Sequence, residues 1–282
     1  MPELPEVETI RRELEPLVRD KTIRGVRIER SDIIGFPAPD MFARAILGQR
    51  IAELGRRGKY LLVRLCAGTV VRQLLVVHLR LSGQLAVHAA RTRPLRFERV
   101  RFLLSGGECL VFIEPRVLGR VYLVEEDHLP DVLGGLRHMG LEPIQPEFDA
   151  AYLRRKVGHR SARIKALLLD QRIAAGVGNI YSDEALFRAG INPNRPGDAL
   201  RPREIERLAA ALRDVLLEGI KHLGTSMRDS RYRRPNHLPG GFQKLLQVFG
   251  REGEPCRICG SEIVACTIAN RTSRYCPRCQ RR

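Results

Sequence analysis

The chain has 282 residues, 44% of them hydrophobic, which is enough apolar sequence for about two globular domains and excludes an intrinsically disordered chain. Forty-nine basic residues oppose 32 acidic ones, and a formal charge of +17 repels itself unless a polyanion such as nucleic acid is the partner. No apolar run of about 18 residues and no leader-like segment occurs, so we expect an intracellular protein without a membrane span.

The first eight residues, MPELPEVE, combine a removable Met1 with Pro2 and nearby glutamates. Removal of Met1 would leave Pro2 with a free secondary amine. An α-amino group has a pKa of about 7.7 to 8.0, against about 10.4 for lysine, so more of it is uncharged at neutral pH. Glu3 and Glu6 are close enough to move protons at that nitrogen. The pattern allows covalent amine catalysis, and equally an ordinary N-terminus before a helix.

Periodicity divides the rest of the chain into a β-rich part and a helical part. A first helix is predicted from residue 5 to about residue 16. Antiparallel strands, in a sandwich or barrel, are predicted at 22–29, 60–66, 70–79, 96–104, 109–113 and 120–124. Segment 125–148 is predicted to be a linker with at most a short helix. Further helices are predicted at 150–157, 162–171, 180–189 and 202–222, and the long polar loop 225–241 is expected to carry recognition.

Four of the seven cysteines form two CxxC pairs, Cys256 with Cys259 and Cys276 with Cys279. Sixteen residues separate the pairs, which is typical of a four-thiolate zinc site on a β-ribbon. The alternative is two disulfides, which an intracellular location disfavours. We therefore expect one structural Zn²⁺, with Cys266 as a bystander in the hairpin.

A glycine-rich segment at 175–181, AGVGNIY, joins two predicted helices and follows a basic stretch at 154–165 that contains no acidic residue. The glycines let backbone amides approach an anion, Asn179 can donate a hydrogen bond, and the next helix N-terminus adds positive dipole. We predict phosphate contact here, against the alternative of a tight turn beside a solvated basic face.

Two other turns, 78–83 (HLRLSG) and 114–119 (EPRVLG), each present an apolar tip beside an arginine. Such tips can wedge into a base stack and fill the space of an everted nucleotide, at an unstacking cost of roughly a few kcal/mol. Taken alone they are also compatible with ordinary hairpins. Lys59 opens a predicted strand and is one of only six lysines in the chain.

Together these motifs resemble the bacterial formamidopyrimidine-DNA glycosylases, in the family that also contains endonuclease VIII. The resemblance covers the full length, through residues 2–9, 57–62, 176–181, 240–243 and the terminal CxxC pairs. Leu4 favours the oxidised-purine branch, because endonuclease VIII relatives usually carry glycine there. The resemblance implies an α+β fold, in which a catalytic helix leads an N-terminal antiparallel β-sandwich and a helix-two-turn-helix domain with a zinc ribbon follows.

The resemblance also implies roles for individual residues. Pro2 would attack C1′ of the everted nucleotide, Glu3 would donate and shuttle protons, Lys59 would assist β-elimination, and Arg271 would grip phosphate and assist δ-elimination. The residues that match family DNA contacts are Phe97, Arg116, Arg160 and Asn179. The expected domains are a catalytic sandwich at 1–130, a linker at 131–148, a helix-two-turn-helix domain at 149–245 and a zinc ribbon at 246–282.

Some positions depart from the family pattern. Leu81, Val117 and Leu118 stand where methionine, a second arginine and phenylalanine are common, Glu114 replaces the usual aspartate, and Phe97 occupies a place where many relatives have histidine. These changes leave the lesion preference open.

We therefore expect a monomeric, cytoplasmic, nucleoid-associated bacterial glycosylase and AP lyase that acts on 8-oxoguanine and formamidopyrimidines in duplex DNA. The alternatives are an endonuclease VIII-like enzyme for oxidised pyrimidines and a non-catalytic, zinc-dependent DNA-binding protein.

Overall fold

The computed structural model describes residues 2–68, 70–226 and 232–281, which form two compact units. The first comprises Met1–His138 with Leu223–Gly241, and the second comprises Met139–His222 with Phe242–Arg282. Strands dominate the first unit and helices the second, which confirms the expected α+β class. Of the described helices, none is both long enough and apolar enough to cross a membrane.

The first unit begins with helix α1 (Leu4–Val18), which extends past the predicted end at residue 16. Pro5 lies in its first turn, where a missing backbone N–H costs no hydrogen bond. Apolar residues recur at helical spacing, and Val7, Ile10 and Leu14 are fully buried. This buried stripe attaches the N-terminal segment to the core instead of leaving it as a loose tail.

The strands of the first unit form two sheets. In chain order, the elements after α1 are β1 (Ile23–Ile28), β2 (Ile34–Phe36), α2 (Pro39–Ile46), β3 (Arg50–Arg57), β4 (Tyr60–Ala67), β5 (Val70–His78), β6 (Gln84–Ala89), β7 (Glu98–Leu104), β8 (Glu108–Ile113) and β9 (Arg120–Glu125). One sheet has the order β1-β7-β8-β6 and the other β2-β9-β5-β4-β3. Among the described pairings, only β2 with β9 is parallel.

A single core joins α1 to both sheets. It contains Ile10 of α1, Leu61 and Val77 of the five-stranded sheet, and Phe102 and Phe112 of the four-stranded sheet, none exposed by more than 2%. Because both sheets bury one face in the same cluster, the sandwich expected from the resemblance is confirmed.

Four elements of this unit were missed by periodicity: β2, α2, β3 and β6. The sequence of β3, RIAELGRR, has only Ile51 and Leu54 as buried apolar residues, so pairing with β4 decides its conformation. Segment 125–148, predicted to hold at most a short helix, contains two: α3 (Leu129–Val132) and α4 (Gly134–Arg137). Their apolar side chains pack on the outer face of the five-stranded sheet.

The second unit contains the four helices that the sequence predicted, followed by a hairpin. These are α5 (Ala150–Val157), α6 (Ile164–Leu169), α7 (Asn179–Ala189), α8 (Pro202–Lys221), β10 (Val264–Ile268) and β11 (Arg271–Tyr275). The hairpin turn consists of Ala269 and Asn270, both at positive φ, as a two-residue turn that matches the strand twist requires. Arg271 therefore follows directly on the tip of the hairpin.

Candidate functional site

The candidate catalytic residues Pro2 and Glu3 lie at the start of α1, where the backbone is firmly held. Both are buried, and Glu3 is only 2% exposed. The Glu3 backbone N–H donates to Glu6 Oε2 at 2.8 Å, while Glu6 Oε1 accepts from the Thr225 backbone N–H at 2.7 Å. A buried carboxylate thus fixes the chain beside Pro2 and ties it to a loop that lies far along the sequence.

That loop is shaped to reach Glu6. Gly224 has a φ of +77°, and a Cβ at this position would lie 2.9 Å from Glu6 Cγ, so a side chain does not fit. Two residues later the Ser226 hydroxyl oxygen accepts from the Gly240 backbone N–H at 2.9 Å, which closes the base of the loop. The sequence predicted 225–241 as a long polar loop that carries recognition, and residues 227–231 of that loop lie outside the described part of the chain.

Lys59 lies in the turn between β3 and β4, and it is 8% exposed. Arg56 places this turn beside α1, because its Nε lies 3.2 Å from Glu8 Oε2 and its Nη1 donates to the Gly58 carbonyl at 3.0 Å. His78 is close by. Its burial and the charges of Arg80 and Lys59 lower the pKa of His78 from 6.5 to about 3, so it is uncharged at neutral pH. The uncharged His78 ring therefore does not repel the Lys59 ammonium group.

Glu8 holds the arginine that positions the Lys59 turn. Burial alone would raise the pKa of Glu8, but hydrogen bonds from Arg11 and Arg12 and the charge of Arg56 outweigh it and lower the pKa from 4.5 to about 2. A depressed folded-state pKa stabilises the protein above the unfolded-state value, and this contribution disappears as pH falls from about 4.5 towards 2.

We expect Glu8→Gln to remove this pH dependence. At neutral pH the variant should lose roughly 1 to 2 kcal/mol of unfolding free energy, after allowance for solvent screening, and the difference from the wild type should vanish near pH 2. Urea unfolding at a series of pH values measures it, with Glu206→Gln on the exposed face of α8 as the control. A difference that stays constant down to pH 2 would contradict the assignment.

The two candidate DNA contacts of the first unit lie on turns. Phe97 has a φ of +66°, is 38% exposed, and lies beneath the guanidinium groups of Arg96 and Arg99, at 4.6 and 5.6 Å from its ring centre. Arg116 is exposed in the turn after β8, where its backbone N–H donates to Glu114 Oε1 at 3.0 Å. Both residues are thus accessible to a ligand from solvent.

In the second unit the start of α7 meets the tip of the hairpin. The Asn179 side chain donates from Nδ2 to the Thr272 carbonyl at 3.0 Å, directly after Arg271. Arg271 is exposed. Arg160 follows α5, where its carbonyl accepts from the Asp198 backbone N–H at 3.0 Å. The structure therefore brings Asn179 next to the strand that carries Arg271.

A buried ion pair that sequence reasoning did not single out supports this junction. Lys165 and Asp183 are almost fully buried, and Lys165 Nζ lies 2.6 Å from Asp183 Oδ1. The same oxygen accepts from the Ser273 hydroxyl at 2.6 Å, and Asp183 Oδ2 accepts from the Arg274 backbone N–H at 3.1 Å. One carboxylate of α7 therefore holds β11, and the only available signal was the rarity of lysine.

The four cysteines of the CxxC pairs converge. Their sulfur atoms all lie within 4.8 Å of one another, and Cys256 and Cys259 approach Cys279 and Cys276 to 3.9 and 3.4 Å. Tetrahedral zinc at about 2.3 Å from each sulfur requires sulfur atoms close to 4 Å apart, so the donor set fits a metal ion. Backbone N–H groups donate to two of these sulfurs at 3.4 Å, as befits thiolates.

Comparison with known families gives one match in each unit. Residues 1–121 match the formamidopyrimidine-DNA glycosylase N-terminal domain, and residues 139–231 match the formamidopyrimidine-DNA glycosylase H2TH domain. The chain belongs to the formamidopyrimidine-DNA glycosylase family. The resemblance drawn from its sequence motifs is therefore confirmed.

Relatives in the formamidopyrimidine-DNA glycosylase family match the chain along its length. It is 45% identical over 281 residues to the formamidopyrimidine-DNA glycosylase of Pelotomaculum thermopropionicum, covering 100% of this chain and 99% of that one. A Lactococcus lactis FPG mutant solved with Fapy-dG-containing DNA has a TM-score of 0.91 and 31% identity over 100% of both chains. Wild-type Lactococcus lactis FPG (MutM), solved with oxidised-pyrimidine-containing DNA, has a TM-score of 0.90 and 30% identity over 100% of both chains.

The candidate residues of this family member are divided between the units. The first unit holds Pro2, Glu3, Lys59, Phe97 and Arg116. The second holds Arg160, Asn179, Arg271 and the four cysteines. Buried carboxylates hold the backbone beside some of them: Glu6 and Glu8 near the start of α1, and Asp183 at the hairpin strand that carries Arg271.

Proposed function

We propose that the protein is a bifunctional DNA glycosylase and AP lyase of base excision repair that excises oxidised purines from duplex DNA. The observation that carries this proposal is the buried first turn of α1, with Glu3 and Glu6 fixed beside Pro2, in a chain that matches a formamidopyrimidine-DNA glycosylase over 99% of that relative. The charge of +17 suits a DNA substrate, and a relative was solved with Fapy-dG-containing DNA.

The chemistry begins once Met1 is removed and Pro2 carries a lone pair. Its nitrogen bonds to C1′, the bond from C1′ to the damaged base breaks, and the base leaves with the electron pair and a proton. Loss of the amine proton and opening of the sugar ring, with a proton delivered to O4′, give an iminium between Pro2 and C1′. Glu3 is the proposed carrier of these protons, because it adjoins the nitrogen and is shielded from water.

Strand cleavage follows from the iminium. The positive nitrogen acidifies the C2′ hydrogens, so that removal of one proton expels the 3′ phosphate in a β-elimination, and a second elimination expels the 5′ phosphate. We assign Lys59 to the first step, since the turn that carries it is tied to α1. Arg271 is assigned to phosphate in the second step. Arg116, Arg160, Asn179 and Phe97 are assigned to DNA contact.

We further propose that the four cysteines bind one structural zinc ion, which holds the ribbon and takes no part in the reaction. The protein would act as a monomer in the bacterial cytoplasm, where the chromosome lies.

Two observations favour a second substrate class, oxidised pyrimidines. Leu81, Val117 and Leu118 depart from the family pattern at the apolar tips, and a relative was solved with oxidised-pyrimidine-containing DNA. A preference for oxidised pyrimidines is therefore the alternative substrate class. A non-catalytic DNA-binding protein is the other alternative, and it requires that Met1 is retained, because Pro2 would then be an amide nitrogen without a nucleophilic lone pair.

Borohydride trapping tests these assignments together. Reduction of the iminium should join the protein covalently to a duplex containing 8-oxoguanine opposite cytosine, and Pro2→Gly should lower the yield of that adduct. An equal duplex with thymine glycol should give a lower yield under the same conditions. Intact mass establishes whether Met1 is absent. No adduct, or an adduct formed at full yield by Pro2→Gly, would contradict the proline mechanism, and a higher thymine glycol yield would favour the alternative substrate class.

A further inference from the structure

Glu114 is a fully buried carboxylate that joins the two turns with apolar tips. Its Oε1 accepts a hydrogen bond from the Ser82 hydroxyl. The same oxygen accepts a second hydrogen bond, from the Arg116 backbone N–H at 3.0 Å. Its Oε2 accepts from the Gly119 backbone N–H at 3.0 Å. Two of these bonds shape its own turn, 114–119, whereas the bond from Ser82 connects it to the other turn, 78–83.

Both turns also pack against the aromatic ring of Phe112. A Cβ at Gly83 would lie 2.9 Å from the Phe112 ring and 2.6 Å from the Leu79 carbonyl oxygen, and a Cβ at Gly119 would lie 2.6 Å from the same ring. Neither position has room for a side chain. The turns are therefore packed as closely as two backbones and a phenyl ring allow, with the carboxylate bridging them.

The backbone of Glu114 reaches a third segment. Its N–H donates to the Phe97 carbonyl at 2.9 Å, and its own carbonyl accepts from Arg99 Nε at 2.8 Å. Arg99 in turn lies over the Phe97 ring. One residue thus links all three segments of the first unit that the sequence marked for contact with DNA.

The side chains around this link point towards solvent. Leu118 is 39% exposed, Leu81 is partly exposed, and neighbouring Arg80 and Val117 adopt φ values of +53° and +55°. Positive φ is costly for residues with a Cβ, above all for a β-branched valine, and persists only where the surroundings impose it. The hydrogen bonds to Glu114 on either side of Val117 supply that constraint.

We propose that Glu114 is a positioning residue for lesion recognition, which locks the Leu81 and Leu118 tips together through Ser82 so that they enter the base stack as one wedge. This inference rests on the proposed glycosylase function. A wedge formed during folding does not have to be ordered when DNA binds, so more of the binding energy is available to unstack the damaged base. A carboxylate suits the position because all of its partners are donors, whereas an amide would place N–H against N–H.

Ser82→Ala tests the link selectively, because it removes the hydrogen bond between the turns and leaves both hydrogen bonds that Glu114 accepts from its own turn. Single-turnover excision of 8-oxoguanine opposite cytosine should slow by about tenfold, the value of one hydrogen bond to a charged group. Nicking of a duplex abasic site, which has no base to unstack, should slow by less than about threefold. Ser105→Ala, which removes a hydroxyl that accepts from the Thr22 backbone N–H, is the matched control and should alter neither rate.

A double-mutant cycle on the tips gives a second readout. Leu81→Ala and Leu118→Ala should combine non-additively in the wild-type background and additively in Ser82→Ala, because only a locked pair acts as a unit. Additive effects in both backgrounds, or equal slowing of excision and abasic-site nicking by Ser82→Ala, would overturn the proposal. Wild-type trapping is measured in the same experiment, so failure of the glycosylase function itself is recognised separately.

Discussion

Glu3→Gln is expected to slow base excision by roughly 10²- to 10⁴-fold, the usual contribution of a positioned proton donor. The amide is isosteric with the carboxylic acid but cannot deliver a proton to the departing base or to O4′. The backbone N–H of residue 3 still donates to Glu6, so the start of α1 should keep its geometry. The loss should therefore appear in the chemical step.

Single-turnover kinetics on an 8-oxoguanine duplex measure this effect, and DNA affinity from fluorescence anisotropy should change by no more than about threefold. Glu15→Gln, on the same helix and bonded to Arg11, is the control and should excise at the wild-type rate. Loss of affinity in proportion to loss of rate would instead assign Glu3 to DNA binding. A rate unchanged by Glu3→Gln would remove it from the mechanism.

Cys276→Ser is expected to abolish zinc binding and with it the DNA affinity of the ribbon. Cys276 is fully buried and its sulfur lies 3.4 Å from that of Cys259, so a hydroxyl in its place leaves three thiolates and an incomplete site. Zinc contributes about 10 kcal/mol or more to the folding of such modules. Its loss should release the hairpin that carries Arg271.

Loss of zinc should also disturb the helical part of the second unit, because the ribbon is bonded to it. Gln280 accepts from the Cys276 backbone N–H at 2.9 Å and donates to the Ile191 carbonyl at 2.8 Å, so the metal site and the segment after α7 share one side chain. Zinc content by mass spectrometry and affinity for abasic-site DNA should fall together.

Cys266→Ser provides the matched control for the zinc prediction. Cys266 lies on β10 between the two pairs, outside the group of four converging sulfurs. It should retain both zinc and DNA affinity. Full zinc content in Cys276→Ser would contradict the four-thiolate assignment, and loss of zinc in Cys266→Ser would show that a fifth cysteine contributes.

Local patterns in the sequence were sufficient for much of the fold and for the identity of the candidate residues. The CxxC pairs place their thiolates on two short turns, so their spacing alone indicated a shared metal. Helical periodicity found α1 and α8, because each buries a stripe that repeats along the chain. The opening residues allowed amine catalysis by Pro2 and equally an ordinary N-terminus, and the resemblance along the whole chain gave Pro2 and Glu3 their expected roles.

Strand β3 is an element that local hydrophobic patterns do not predict. It has two buried apolar residues among charged ones, and its conformation comes from the ladder with β4. Glu114 is a second example, within the candidate site. The segment EPRVLG indicated a turn with an apolar tip, whereas in the structure Glu114 is buried and bonds to three segments of the chain.

The sequence by itself determined the family, the two cysteine pairs and the division into a β-rich part and a helical part, because each depends on residues close together in the chain or at regular intervals. Only the tertiary structure decided which carboxylates hold the site. Glu6 with Thr225, Glu8 with Arg56, Glu114 with Ser82 and Asp183 with Ser273 are partners distant in sequence. A buried charge needs donors from whichever segments surround it, and folding alone determines which segments those are.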